Sequence, residues 1–294
     1  MDRLLIIDGH AYAYRAFHAI RGLRSPSGRP TNAIFCFVKM LAKMRAAIEP
    51  THLIVVWDGG LSAERIAALP EYKAQRPAMP DDLKPQFDEL AGYLQAAGVA
   101  SFCRAGVEAD DYIACLARRA SEAGMTVVIA SSDKDFMQLV SARVGLLNPG
   151  DKSGAVWTEE QVRAKAGVGP SQIVDWLSLT GDSVDNIPGV PGVGPKTAAE
   201  LLNQFGSVGA LYERLDEVKP EKLRAALRAA ADAVRRNREL VRLRDDLACE
   251  FSADALAGKP ADAGRLRELF QRWGFKGMLA ALETPAREQQ AVLI

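Results

Sequence analysis

Three short, nearly continuous apolar runs mark the first half of the chain: LLIID at 4–8, LIVVWD at 53–58 and TVVIASSD at 126–133. Runs of this length without polar alternation fit strands covered on both faces, as in a parallel sheet. Between them, apolar positions recur with helical spacing over 33–48, 83–98 and 110–124, and the last two segments end in glycine, a helix stop. Alternating strand and helix predicts a three-layer α/β domain over roughly the first 150 residues, and VGLLNP at 144–149 reads as a further strand. After about residue 158 strong strand signals cease. TEEQVRAKAG opens with a threonine cap and acids in its first turn, and this second part reads as helical with Gly/Pro-rich turns. The expected division is 1–157, then 158–283, then a polar tail or linker at 284–294.

Composition narrows the class without naming a chemistry. The 294 residues are 48% apolar and carry zero formal net charge, so the chain can bury a core and overall charge is silent about nucleic acid. The N-terminus has only four consecutive apolar residues, too few for a signal peptide or a membrane span. Cys36, Cys103, Cys115 and Cys249 form no C-x-x-C pair, which argues against a zinc ribbon or redox motif and for reduced, buried thiols in a cytoplasmic protein. Local charge is uneven. Between Asp8 and Glu49 there is no acid, yet Arg15, Arg21, Arg24, Arg29, Lys39, Lys43 and Arg45 lie there, and a second basic stretch runs from Lys219 to Arg244. These are either solvated helix faces or surfaces for a polyanion.

The acids fall in a pattern. Each strand ends on carboxylates: Asp8, then Asp58, then Asp133 and Asp135. In an open α/β sheet, ligands bind at those strand ends. Glu108, Asp110 and Asp111 crowd the start of the 110–124 helix, and Asp182 and Asp185 sit in the turn TGDSVDNIPG. Any one group has an ordinary reading, as a helix cap or a turn residue. Their recurrence suggests that nine acids converge. Two unit charges about 4 Å apart repel by roughly 4 kcal/mol at an effective dielectric near 20, so convergence calls for cations. All-oxygen ligands select Mg²⁺ or Mn²⁺, and two such ions suit phosphodiester hydrolysis. The three histidines, His10, His18 and His52, form no ligand cluster; His10, close to Asp8, either helps order the site or, as expected here, has a structural role.

IPGVPGVGPKTAAELL at 187–202 fails the Walker pattern, because Pro195 separates Gly194 from Lys196, and fails the dinucleotide fingerprint. It fits a helix–hairpin–helix, spanning 184–202. Gly189, Gly192 and Gly194 would let backbone approach a DNA phosphate, and the helix bearing Lys196 and Thr197 would offer its N-terminal amides; the alternative is a tight helical turn. Between Asp58 and the helix predicted over 83–98, 60–82 is a long segment with prolines at 70, 77 and 80, readable as an arch or a surface loop. Arg65, Lys73 and Arg76 in it are candidates to meet a phosphate backbone, with Lys73 and Arg76 on one face if the piece is helical.

Together IIDGHAYAYRAFHA, VVWDGG, EYKAQRP, GVEADDYIA, SSDKDFMQLV, LTGDSVDNIPGVPGVGPKTA and LLNQFGS resemble, in order and over roughly 3–282, the 5′-nuclease domain of bacterial DNA polymerase I, within the flap endonuclease superfamily. The resemblance implies a mostly parallel, PIN-like or resolvase-like sheet followed by a helical DNA-binding subdomain. It implies a structure-specific 5′→3′ exonuclease and 5′-flap endonuclease acting on DNA flaps, nicks, ss/ds junctions and RNA primer ends, as a monomer away from membranes. The family's metal ligands carry over to Asp8, Asp58, Glu108, Asp110, Asp111, Asp133, Asp135, Asp182 and Asp185. Glu108, Asp110, Asp111 and Asp133 are expected to hold the catalytic metal pair, with Asp8 and Asp58 beside them. Asp135, Asp182 and Asp185 would hold or tune the second ion. Lys73 and Arg76 match arch residues at the scissile phosphate, Tyr12 and Arg15 match the start of the first helix, and the glycine hairpin matches one that often takes K⁺. Glu64 departs from the family, which usually has an aromatic there. Two rival readings are a PIN-like ribonuclease and a non-catalytic DNA-junction binder. The chain reads either as a free-standing nuclease or as the first part of a longer polymerase.

Overall fold

The structure, a computed structural model, describes residues 2–249 and 251–283. By contacts the chain forms two compact units. The first gathers the described residues of 1–57, 78–103 and 252–294, and the second 58–77 and 104–251. This grouping differs from a single division near 157. The tail expected at 284–294 lies outside the described residues.

In the first unit, strand β1 (Arg3–Asp8) pairs in parallel with β2 (His52–Val56), with Ile6 opposite Ile54. On the other side of β2 lies the short parallel strand β3 (Ala100–Phe102), which the sequence pattern did not predict. Leu4, Leu5, Ile6 and Ile7 are fully buried, as expected for a strand covered on both faces. Helices Asn32–Ile48 and Lys84–Ala96 match the helical spacing, and Gly9–Ala19 is the first helix that the family resemblance implied around Tyr12 and Arg15. The His10 ring lies 4.7 Å from that of Phe87 and edge-on to Trp57 at 5.8 Å.

Helix Asn32–Ile48 shows how distant residues complete a local element. Thr31 stands at its N-cap without a side-chain bond. The exposed helix amides instead reach Gln86, whose Oε1 accepts from Ala33 N at 2.9 Å and Ile34 N at 3.2 Å. Gln86 is itself held by donating to Asn32 Oδ1 and Asp82 O. The segment after Ser252 was expected to belong with the second half, yet it packs in the first unit. Lys259 N and Asp262 N donate to Gly98 O and Ala96 O, each at 2.8 Å, and Arg272 pairs with Glu89. Phe275 meets Phe35 edge-on at 5.1 Å.

The second unit holds β4 (Thr126–Ala130) and β5 (Val144–Leu147), paired in parallel, with β6 (Val156–Trp157) antiparallel on β5. A separate two-stranded hairpin joins β7 (Gly181–Asp182) to β8 (Ile187–Pro188). Helix Ala109–Glu122 precedes β4, and the remainder is helical as predicted. Thr158 caps helix Glu159–Ala166 in a full capping box with Gln161. Of the cysteines, Cys36, Cys115 and Cys249 are buried free thiols, whereas Cys103 is exposed, against expectation. No helix among the described residues is long and apolar enough to cross a membrane.

Gly98 joins the 84–96 helix to β3 at φ +67°, and a Cβ there would lie 2.0 Å from Lys259 O. Both the backbone angle and the backbone neighbour exclude a side chain. Gly98→Ala is therefore expected to cost about 1–3 kcal/mol or more. Gly92→Ala, in the open face of the preceding helix, should gain about 0.5–1 kcal/mol. Urea unfolding of both variants checks the contrast.

Candidate active site

The site is built in the second unit where four peptide segments present acids. Asp58 follows β2, and its Oδ1 accepts from Gly60 N at 3.0 Å. The chain then runs beside the segment leading to Glu108: Gly59 N donates to Val107 O, and Gly106 N donates to Gly59 O. Asp133 and Asp135 follow β4, where Asp133 caps the short 3-10 helix Lys134–Leu139 by accepting from Asp135 N at 2.9 Å. Asp182 and Asp185 flank the β7–β8 turn, and Asp182 Oδ1 accepts from Val184 N at 2.9 Å.

Glu108 stands at the N-cap of helix Ala109–Glu122 but makes no capping bond. Its carboxylate points elsewhere. Oε2 accepts from Lys73 Nζ at 2.6 Å and Tyr72 Oη at 3.1 Å, and Oε1 accepts from Ser62 N at 2.8 Å. Capping therefore does not explain this acid. Burial pushes the Glu108 carboxyl up, but Lys73 and Arg65 outweigh it and hold the group below its ordinary pKa. Asp8, in the first unit, does cap its helix, accepting from Ala11 N at 3.0 Å.

Three cations of the 58–77 segment meet these acids. Lys73 is 5% exposed and holds a left-handed backbone at φ +55°. It also lies 3.7 Å from Asp185 Oδ2 and 3.9 Å from Asp110 Oδ2. Burial disfavours its ammonium, but Asp110, Asp185 and Glu108 reverse the effect and keep it charged. Arg65 grips Asp111 through two bonds of 2.7 Å, approaches Glu108 Oε1 at 3.3 Å, and donates its remaining N–H groups to Leu240 O and Arg242 O. Arg76 donates to Asp185 Oδ1 at 2.8 Å while its side chain stays 40% exposed.

These contacts correct parts of the sequence reading. Segment 70–75 is a chain of turns after helix Ala63–Ala68, so Lys73 and Arg76 share no helix face. Arg65 was expected at a phosphate backbone, yet it is 6% exposed with its donors spent on Asp111 and on carbonyls. Asp111 was grouped with the metal acids, but Arg65 occupies both its oxygens, and Oδ1 also accepts from Arg244 N. Tyr12, expected near nucleic acid, is 3% exposed; burial pushes its phenol well above the ordinary range. Arg15 is exposed. Tyr72, which sequence reasoning passed over, bridges Glu108 and, at 3.4 Å, Asp185. Only its place beside Lys73 in EYKAQRP pointed to it.

Asp135, Asp182 and Asp185 each offer an oxygen within 4.8 Å of the others. All three are at least 92% buried from solvent, with exposures of 8%, 6% and 8%. Lys134 reaches Asp182 at 3.2 Å, and Arg76 reaches Asp185. Asp135 Oδ1, in contrast, is buried without a hydrogen-bond partner. Burial first, then the charges of Asp133, Asp182 and Asp185, push the Asp135 carboxyl well above its ordinary pKa. Asp133 is raised as well, by burial and by Asp185 and Asp182. Three converging carboxylates and one orphaned oxygen fit a hard divalent cation.

The glycine motif lies in the same unit. Gly189 runs so close to the 173–180 helix end that a Cβ would meet Thr180 O at 2.2 Å, so this glycine serves the hairpin's own packing. Gly192 and Gly194 face open space, Gly192 at φ +81°. Between them Val193 is buried, while Lys196 is exposed and Thr197 half-buried. Gly194 is the N-cap of helix Pro195–Phe205, whose first amides have no side-chain cap.

Raising the pKa of Asp135 on folding means the folded state binds protons more readily than the unfolded one. Its stability then falls as pH climbs from the unfolded carboxylate value, about 4, toward the folded value. Asp135→Asn removes that charge and should raise metal-free stability at pH 7 by roughly 1–3 kcal/mol. It should also weaken the thermal shift that Mg²⁺ gives the wild-type chain. Melting curves in EDTA and in Mg²⁺ measure both effects.

Comparison with known proteins agrees with this architecture. The model of the 5′-3′ exonuclease N-terminal resolvase-like domain matches residues 3–167, and that of the 5′-3′ exonuclease C-terminal SAM fold matches 168–264. A 5′-3′ exonuclease of Aquifex aeolicus is 38% identical over 288 residues, 98% of each chain. A DNA polymerase I of Bacillus caldotenax is 40% identical over 293 residues, 99% of this chain and 33% of that protein. The chain thus spans about a third of that polymerase's length. A solved T5 5′-exonuclease with bound divalent zinc superposes with a TM-score of 0.69 at 25% identity, covering 92% of this chain and 99% of that one. The catalytic core of Rad2 shares the fold, with a TM-score of 0.64 at 13% identity, over 100% of this chain and 92% of that one. A mostly parallel α/β part, a helical part and matched family models over 3–264 lead to one assignment: this chain belongs to the 5′-3′ exonuclease family.

Proposed function

We propose that this chain is a divalent-metal-dependent 5′→3′ exonuclease and 5′-flap endonuclease. It hydrolyses phosphodiester bonds of DNA, and of RNA primer ends, at flaps, nicks and ss/ds junctions. The observation that carries this reading is the buried triad Asp135, Asp182 and Asp185 with the orphaned Asp135 oxygen. Asp58, Asp110 and Asp133 are proposed as further metal ligands of this unit, and Asp8 is assigned with them, all from the sequence resemblance. Mg²⁺ or Mn²⁺ fits the donor set; when bound, a pair of such ions supplies an activated water and stabilises the leaving oxygen.

The remaining residues set the field around that chemistry. Lys73, with its ammonium on Glu108, keeps this buried carboxylate ionised. Arg65 neutralises Asp111, so Asp111 acts through Arg65 and holds the helix mouth in place. Arg76, the most exposed of the three cations, is positioned at the margin to receive a phosphate oxygen. The open Gly192–Gly194 loop and the uncapped helix amides after it support a sequence-independent grip on duplex phosphates, with K⁺ as a fitting ion there. The exposed Arg15, at the first helix, is assigned to DNA contact on the same resemblance. A monomeric, cytoplasmic enzyme of DNA replication and repair fits these features.

The test uses flap DNA labelled at its 5′ end, with Mg²⁺ or EDTA. Metal-dependent release of the flap near the junction is expected. Intact DNA in both lanes despite a gel shift would reduce the chain to a binding module. Asp110→Ala, at a side chain 22% exposed to solvent, should lower cleavage by at least about 10²-fold. Fluorescence anisotropy should show DNA binding retained.

A further inference from the structure

Val184 is 65% exposed, far above Ile20, Leu61 and Ile66, the other large apolar side chains exposed among the described residues. It sits at the apex of the β7–β8 turn, between Asp182 and Asp185, both of which point into the buried acid triad. The turn is anchored on every side. Val184 N donates to Asp182 Oδ1 at 2.9 Å, Lys73 N donates to Asp185 O at 3.0 Å, and Asn186 Nδ2 donates to Glu71 O at 2.8 Å. Asn186 itself adopts a left-handed φ of +57°.

A β-branched residue is a poor choice for a tight, solvated turn, where polar residues bond their own backbone. Nothing in its own unit covers this side chain, and the fixed turn denies it any retreat into the core. Local rules broken without a structural return point to function. The fixed backbone also means that the isopropyl group is presented without an ordering cost at binding.

We infer that Val184 is a substrate-contact residue: its isopropyl group packs against the apolar face of the nucleoside next to the scissile phosphate. The inference rests on the proposed hydrolysis at the neighbouring carboxylates. A phosphate held there brings its own covalently attached sugar and base within a few ångströms of the turn. The C–H face of a deoxyribose and the face of a base are the apolar surfaces DNA offers at that distance. Covering one of them with an aliphatic group removes apolar area from water for both partners. The contact is independent of base identity, as required of an enzyme that reads structure.

The experiment compares wild-type, Val184→Ser and Val184→Ile proteins on the labelled flap DNA under multiple-turnover conditions. A wild-type chain that cuts confirms the hydrolysis on which the inference stands, independently of the variants. Val184→Ser is expected to raise KM about fivefold with kcat within twofold. Val184→Ile should keep the wild-type KM. Melting temperatures of all three in EDTA should agree within about a degree, because the side chain contributes nothing to the core. A substrate with an abasic nucleotide at the scissile position then separates the two surfaces. If the serine penalty persists there, the contact is to the sugar; if it vanishes, the contact is to the base. Equal KM values for wild-type and Val184→Ser on intact DNA overturn the inference.

Discussion

The structure depends on confining carboxylates that repel one another. In the second unit, Glu108 and Asp111 are fully compensated within the chain, by Lys73 and Arg65. Asp135, Asp182 and Asp185 are compensated only partly, by Lys134 and Arg76 at their edges, and one oxygen of Asp135 has no partner. The compensated acids tie the helix mouth and the 60–77 segment together. On the function proposed above, the under-compensated acids are the ones left to hold a divalent cation. Leaving a buried carboxylate oxygen without a partner is costly, and that cost is the physical ground for proposing that a cation completes the site.

That confinement requires peptide segments that approach closely and stay there. The Gly59 and Val107 backbones bond directly, and Gly189 packs against the Thr180 carbonyl. Lys73 accepts an unfavourable left-handed backbone because its ammonium satisfies Glu108 and its amide satisfies Asp185 O. Arg65 binds carbonyls of Leu240 and Arg242, which ties the base of the 60–77 segment to the end of helix Ala231–Val241. A single guanidinium thereby links three distant stretches of sequence, which is why it has no donor left for DNA.

Much of the fold was legible because hydrophobic period is a local property. The buried runs at 4–7 and 127–130, the amphipathic helices and the Thr158 cap all follow from neighbours within one or two turns. The acids were legible because they recur at strand ends. The identity of the acid-binding cations was only partly legible. Lys73 and Arg76 stood out as phosphate contacts, but nothing in the string EYKAQRP says that Lys73 is buried on Glu108, 35 residues away. Strand β3 escaped because three residues, two of them half-exposed, carry no period.

The sequence by itself determined the strand and helix pattern, the positions of nine acids and the family motif, because each is written in residue type and short spacing. Tertiary structure decided which acids are neutralised and which stay available. It paired Arg65 with Asp111, gave Gln86 the amides of a helix more than fifty residues away, and placed the segment after Ser252 with the N-terminal strands. The reason is that charge compensation depends on distance and burial through space, and the chain order of the residues fixes neither.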